Sequence, residues 1–177
     1  MPEPCILFLL IDKTWDGVPI APDEIARVEL IAGPAGITVS VDAPYHGDPP
    51  PPGPPGSTDG LWKHEVVEIF LLGRSDAYLE VEMGPHGHHL VLKLRGARNV
   101  VRRGLPLRYH ARIEGRRWRG VAAIPRALLP DGLDRDNAYA IHGAGPSRRH
   151  LAAHPVPGPR PDFHRLDAFG PLRFEVE

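Results

Sequence analysis

Val66-Val67-Glu68-Ile69-Phe70-Leu71-Leu72 and, five residues later, Tyr78-Leu79-Glu80-Val81-Glu82-Met83 are the stretches that decide the fold. Both have strand length. The second alternates apolar and polar residues strictly, which is the period-two signature of a β-strand. Leu79, Val81 and Met83 point one way; Tyr78, Glu80 and Glu82 point the other. The first is apolar on both faces except at Glu68. After the turn composition Gly84-Pro85-His86-Gly87, a third strand runs from His88 to Leu94. Working outward, Ile37-Thr38-Val39-Ser40-Val41 alternates as well. Leu107 to Ile113 and Trp118 to Ile124 flank Glu114-Gly115-Arg116 and read as a hairpin. Asn137 to His142, Leu172 to Val176 and a buried first strand over Cys5 to Ile11 complete the set. One turn around Pro125 to Leu129 is the helical candidate. Short strands punctuated by Pro and Gly predict an all-β domain, an antiparallel β-sandwich spanning residues 1–177.

Composition fits this picture. The chain has 177 residues, 42% of them hydrophobic and 24% charged, which is enough for one ordinary core. The formal charge of −1 supplies no net field for a nucleic acid or a membrane surface. A single cysteine, Cys5, excludes an internal disulfide and a cysteine-rich zinc site. The apolar run at Cys5–Ile11 is too short to span a bilayer and is preceded by Glu3 rather than a basic region, so a cytoplasmic protein without membrane association is expected. Residues 44–60 hold four successive prolines and several glycines, and read as a proline-rich surface loop expected to cover the end of the sandwich beside Trp62.

Trp62, Glu68 inside an apolar strand, Tyr78-Leu79-Glu80-Val81-Glu82, the Trp118 strand ending in Ile124-Pro125, Asp162-Phe163-His164 and Phe169-Gly170 together resemble the DOMON-like β-sandwich of family 9 carbohydrate-binding modules. Seven ordered segments resemble more closely a small family of uncharacterised proteins of animals and bacteria. They are Thr14–Gly17, Leu61–Glu68, Tyr78–Glu82, Pro85–Leu92, Arg98–Val100, Ala140–Gly143 and Pro161–His164. The first resemblance implies a sugar stacked on Trp62 with a hydroxyl held by Glu68. It also implies a second stacking Trp near Ala152–Pro155, where this chain offers His154, and an Arg where it has His142.

Read as chemistry, Glu68 is a carboxylate in an apolar strand, costly unless it is paired or faces a wet cavity. Glu80 and Glu82 share a strand face, and His89 or Lys93 is expected across from them if their strands pair. His64, His142, His154 and His164 fall in segments that the fold is expected to bring near the Trp62 end of the sandwich. The expected site is therefore Trp62, His64, Glu68, Glu80, Glu82, His89, His142 and His154. No nucleophile elbow, P-loop or zincin motif is present. The leading expectation is a non-catalytic module for a small polar ligand, a carbohydrate or sugar phosphate, with no cofactor. A metal-assisted hydrolase built from His and Glu is the second reading. No bound metal is expected, because the consecutive His88 and His89 face opposite sides of a strand. A third reading uses residues 93–119, with ten basic residues against one acid, as a polyanion or protein-interaction surface, although nucleic acid is not favoured.

Overall fold

The computed structural model describes residues 5–176. Its strands are β1 (Cys5–Ile11), β2 (Lys13–Thr14), β3 (Ala26–Gly33), β4 (Gly36–Pro44), β5 (Gly56–Ser57), β6 (Val66–Leu72), β7 (Ala77–Met83), β8 (His88–Arg95), β9 (Val100–Arg103), β10 (Arg108–Glu114), β11 (Arg117–Pro125), β12 (Arg135–His142), β13 (Arg149–Ala152), β14 (Gly170–Pro171) and β15 (Glu175–Val176). They form two sheets. One runs β10-β11-β4-β3-β1-β15. The other runs β2-β13-β12-β6-β7-β8-β5, with β14 beside β12 and β9 beside β8. Every pairing is antiparallel except the short β5–β8 contact. The antiparallel β-sandwich is as the sequence predicts. No helix among the described residues is long and apolar enough to cross a membrane.

The main core lies between the sheets. Val67, Ile69 and Leu71 of β6 and Leu79, Val81 and Met83 of β7 face Val28, Leu30, Val39, Val41 and Trp118 of the opposite sheet. A second core covers the outer face of the larger sheet. There Phe70, Leu72, Tyr78, Leu90, Leu92, Leu94 and Tyr139 lie beneath Leu61, Val156, Phe163 and Phe169. This is why β6 is apolar on both faces: a sheet covered on both sides needs no polar face. The covering strap is residues 153–170. Asn137, fully buried, holds it: Nδ2 donates to the His154 carbonyl and Oδ1 accepts from the His154 N–H.

Two strand expectations change. Cys5–Ile11 is not buried throughout, since Phe8 and Leu10 are exposed; the outer face of its sheet carries no covering layer. Leu172 to Val176 is not one strand, but contributes only β15, after β14 at Gly170–Pro171. The alternating stretch Ala26–Gly33 adds β3, which the sequence reading left unassigned. The Pro125–Leu129 turn is a single 3-10 turn over Arg126–Leu128.

Candidate functional site

Register assembles the site on the outer face of the larger sheet. Tyr139, Glu68, Glu82 and Leu90 form one row across β12, β6, β7 and β8. Asn137, Phe70, Glu80 and Leu92 form the next. Glu68 thus sits directly opposite Glu82 and diagonal to Glu80. One carboxylate oxygen from each of the three lies within 4.8 Å of the other two. All three are buried, at 2%, 3% and 0% exposure. Like charges directly across a ladder destabilise it, so only a second purpose or bound protons make the arrangement tolerable.

Above Glu68 and Glu80 a cavity of about 330 Å³ opens, walled by Trp62, Leu92, Arg98, His150, Phe163 and His164 among others. Trp62 lies in a 3-10 turn, Leu61–Lys63, entered through Gly60 in the left-handed region at φ 74°. The Arg148 guanidinium pins that turn by donating to the carbonyls of Trp62 and Lys63, and also to that of Gly143. Trp62 remains 39% exposed, so its ring is a surface wall rather than a core plug. Phe163 lies flat on Tyr139, with centroids 3.9 Å apart. Asp162 accepts from Arg98 at 2.6 Å, and the Tyr139 hydroxyl donates to the Phe163 carbonyl at 3.0 Å. Arg98 occupies the left-handed region at φ 62°, which costs a non-glycine residue backbone strain. That conformation lets its N–H donate to the Tyr78 oxygen.

Burial lifts the Glu68 carboxyl well above the ordinary carboxylate range, reinforced by Glu80 and opposed by Arg148. Burial also lifts Glu82, helped by the charges of Glu68 and Glu80. Glu80 is pushed up to about 7, chiefly by burial, with the adjoining Glu82 carboxyl and the charge of Arg98 pulling the other way. His164 moves in the opposite sense, down to about 4, because burial and then Arg98 disfavour its cation. It is therefore neutral near pH 7. The Tyr78 hydroxyl, already accepting from Arg98, shares a 2.7 Å hydrogen bond with His164 Nδ1. The other ring nitrogen, Nε2, lies 4.0 Å from Glu80 Oε2.

No family model matches the chain. A curated mouse protein, the UPF0462 protein C4orf33 homolog of Mus musculus, is 43% identical over 175 residues, covering 94% of this chain and 91% of its own. The chain belongs to the UPF0462 family. The human family member, UPF0462 protein C4orf33, is 40% identical over 175 residues, with coverage of 94% and 87%. The zebrafish (Danio rerio) homolog is 42% identical over 168 residues, with coverage of 90% and 85%. Among solved structures, one from Bacteroides uniformis described as a "putative carbohydrate-binding protein" superposes with a TM-score of 0.75 at 18% identity, covering 96% of this chain and 87% of that one. At that identity the likeness establishes the shared β-sandwich fold.

Of the residues expected from sequence, this UPF0462 chain brings Trp62, Glu68 and Glu80 to the cavity and sets Glu82 just beneath. The four histidines go elsewhere. His89 opposes Met83 on the inner face and meets Tyr109 edge-on; Lys93 likewise opposes Leu79, so neither lies across from Glu80 or Glu82. His142 is on the inward parity of β12, stacked on His46 and bonded to Glu24 at 3.0 Å. His154 is on the strap beside Asp136. His64 ends the Trp62 turn, with its N–H closing on the Leu61 carbonyl. His86 and His88 are engaged with Tyr45 and the Gly53 carbonyl, so the histidine arm of the hydrolase reading does not assemble. No residue of the 44–60 loop lines the cavity; Glu65 ties the loop down by accepting from the His46 and Asp48 N–H groups. Arg98, His150 and Phe163 were not among the residues expected in the site; His164, expected near Trp62 though not as a ligand residue, lines the cavity. Arg98-Asn99-Val100 and Asp162-Phe163-His164 stood out as segments, but no local pattern tells that two distant segments meet over β7.

Proposed function

We propose that this protein binds a small neutral polyhydroxylated ligand, a sugar, in the cavity beside Trp62. The observation that carries the reading is the pairing of an exposed aromatic face with buried carboxyl oxygens that have no donor. Glu68 Oε1 and Glu80 Oε2 make no hydrogen bond, and such acceptors are costly unless hydroxyls reach them. A pyranose offers hydroxyls at its rim and an apolar face for stacking, which matches a wall of Trp62 and Phe163 over a floor of acceptors. The volume falls at the small end of ligand pockets, about 300–1,000 Å³, which suits one or two sugar rings. The fold shared with the Bacteroides protein supports the same reading.

The test is calorimetric titration and saturation-transfer NMR against a panel of mono- and disaccharides. Trp62→Ala and Glu68→Gln should each weaken binding at least tenfold. Glu68 has no ion-pair partner among the described residues, so Glu68→Gln should leave the melting temperature unchanged or higher. Unaltered affinity in both variants, or no binding across the panel, would overturn the reading.

A further inference from the structure

Beneath the cavity floor, the geometry points to a site for a hard divalent cation of calcium size, held by Glu68, Glu80 and Glu82. Ligand oxygens sit about 2.3–2.6 Å from such an ion, so two of them on opposite sides of it lie about 4.6–5.2 Å apart. The three carboxylate oxygens, all within 4.8 Å of one another, fit inside that span without rearrangement of the strands. Two adjacent antiparallel strands fix their positions, so the donor set is rigid.

An acidic cluster alone would not carry this. The second observation is Glu82. It is 0% exposed, neither of its carboxyl oxygens meets a donor at full hydrogen-bond geometry although the Trp62 backbone N–H lies close enough to pull on it, and it faces its two neighbours rather than solvent. Charge compensation from the protein is also weak, since Arg148 and Arg98 act on Glu68 and Glu80 only from a distance. Among the described residues no Lys or Arg forms an ion pair with any of the three carboxylates. The two nearest guanidinium groups are committed elsewhere: Arg98 to Asp162, and Arg148 to three backbone carbonyls. Buried charges are stable when paired or when they coordinate a metal. The three clustered donors are all oxygen, and the nearby His164 imidazole, 4.0 Å from Glu80, does not join the group of three; this favours calcium, manganese or magnesium over zinc or copper. Calcium is favoured over magnesium, which gives up its waters reluctantly and is seldom held by a cage of protein carboxylates. Because Glu68 and Glu80 also line the cavity, the remaining coordination positions open toward it, where water or ligand hydroxyls complete the shell.

This ion site is separable from the sugar reading, because the metal is titrated alone. The experiment uses full-length protein stripped with chelator and followed by calorimetry and thermal melting at about pH 8, with calcium, manganese, magnesium and zinc chlorides. Calcium or manganese should bind at one per chain and raise the melting temperature. Bound manganese should enhance water proton relaxation, since part of its shell faces the cavity. Glu82→Gln should abolish the calcium response while making the metal-free protein melt higher, because it removes one of three mutually repelling groups. Glu80→Asp, which retracts one donor, should weaken calcium at least tenfold and serves if Glu82→Gln folds poorly. Absence of binding by all four metals at millimolar concentration, or a preference for zinc, would overturn the site. So would an unaltered calcium response in both variants. Sugar binding that persists in chelator without calcium binding removes the ion site and leaves the sugar reading. Calcium binding with no sugar across the panel does the reverse.

Discussion

His46 and His142 lie ring on ring, 3.4 Å between centroids and 6° from parallel, at the far end of β12 from the strap. Burial, then the neighbouring His142, holds His46 below its ordinary value of 6.5. The folded chain therefore resists a proton that the unfolded chain accepts. The sign follows: this residue's contribution is fully present above pH 6.5 and declines as pH falls from there to the folded value. Glu24, held low first by Arg149 and then by His142, keeps its ion pair until pH drops below its usual 4.5. The raised carboxyls of Glu68, Glu80 and Glu82 act oppositely, since the folded state holds their protons more tightly. Wild type and His46→Phe both carry that opposing contribution, so their difference isolates the stack. Denaturant unfolding from about pH 7.5 to 5.5 should show wild type losing stability relative to the variant; a flat difference would remove His46 as the cause. Arg148 makes a second single-residue case. Arg148→Met frees the Trp62 turn, and with charged-donor hydrogen bonds worth about 1.5–3 kcal/mol each, affinity for sugar should fall while the fold survives. Retained affinity would show that the turn is held by other contacts.

At the scale of elements, the strap over the larger sheet is what turns a sheet face into a cavity wall. Asn137 joins β12 to it through both the N–H and the carbonyl of His154, and its Nδ2 also donates to the Tyr139 hydroxyl at 2.8 Å. Asn137→Leu leaves those buried groups unpartnered at about 1–3 kcal/mol each. It should therefore lower stability by several kcal/mol and sugar affinity together, whereas Trp62→Ala should lower affinity alone. Urea unfolding of both variants beside calorimetry checks the contrast, and equal stability losses would contradict it. The same element explains what the sequence could disclose. Alternation marked β4 and β7, and the Glu114-Gly115-Arg116 turn marked the β10–β11 hairpin. Alternation was equally present in Ala26-Arg27-Val28-Glu29-Leu30, so β3 was legible in principle. Glu68, Glu80 and Glu82 were visible as charges where an apolar pattern predicts none. The histidines misled because parity, not residue type, chooses a face. His89 follows Met83 inward, and His142 follows Ala138 and Ala140 inward, while the cavity lies outward. Arg98 and His164, 66 residues apart in sequence, meet on the Tyr78 hydroxyl, a junction that only the folded strap creates.

Across the whole molecule, half of the ten cations of the basic segment 93–119 are taken up by ion pairs. Arg98, Arg103, Arg112, Arg117 and Arg119 each meet a carboxylate. The acceptor-rich cavity stays free, and its occupancy should register in global stability. A ligand that binds only the folded chain stabilises it by RT ln(1 + [L]/Kd), about 2.7 kcal/mol at a hundredfold excess over Kd. For a chain of this length each kcal/mol moves the melting temperature by about 2–4 °C. A sugar that fits should therefore raise it by roughly 5–11 °C at that excess. Trp62→Ala should melt near wild type without sugar, because a side chain 39% exposed surrenders little buried area. It should show almost no rise with sugar, since the stacking wall is gone. Differential scanning calorimetry of both proteins across a ligand series decides this. A wild-type rise that the variant reproduces in full would place the ligand outside the cavity, and Trp62 would then be a bystander on the sheet's outer face.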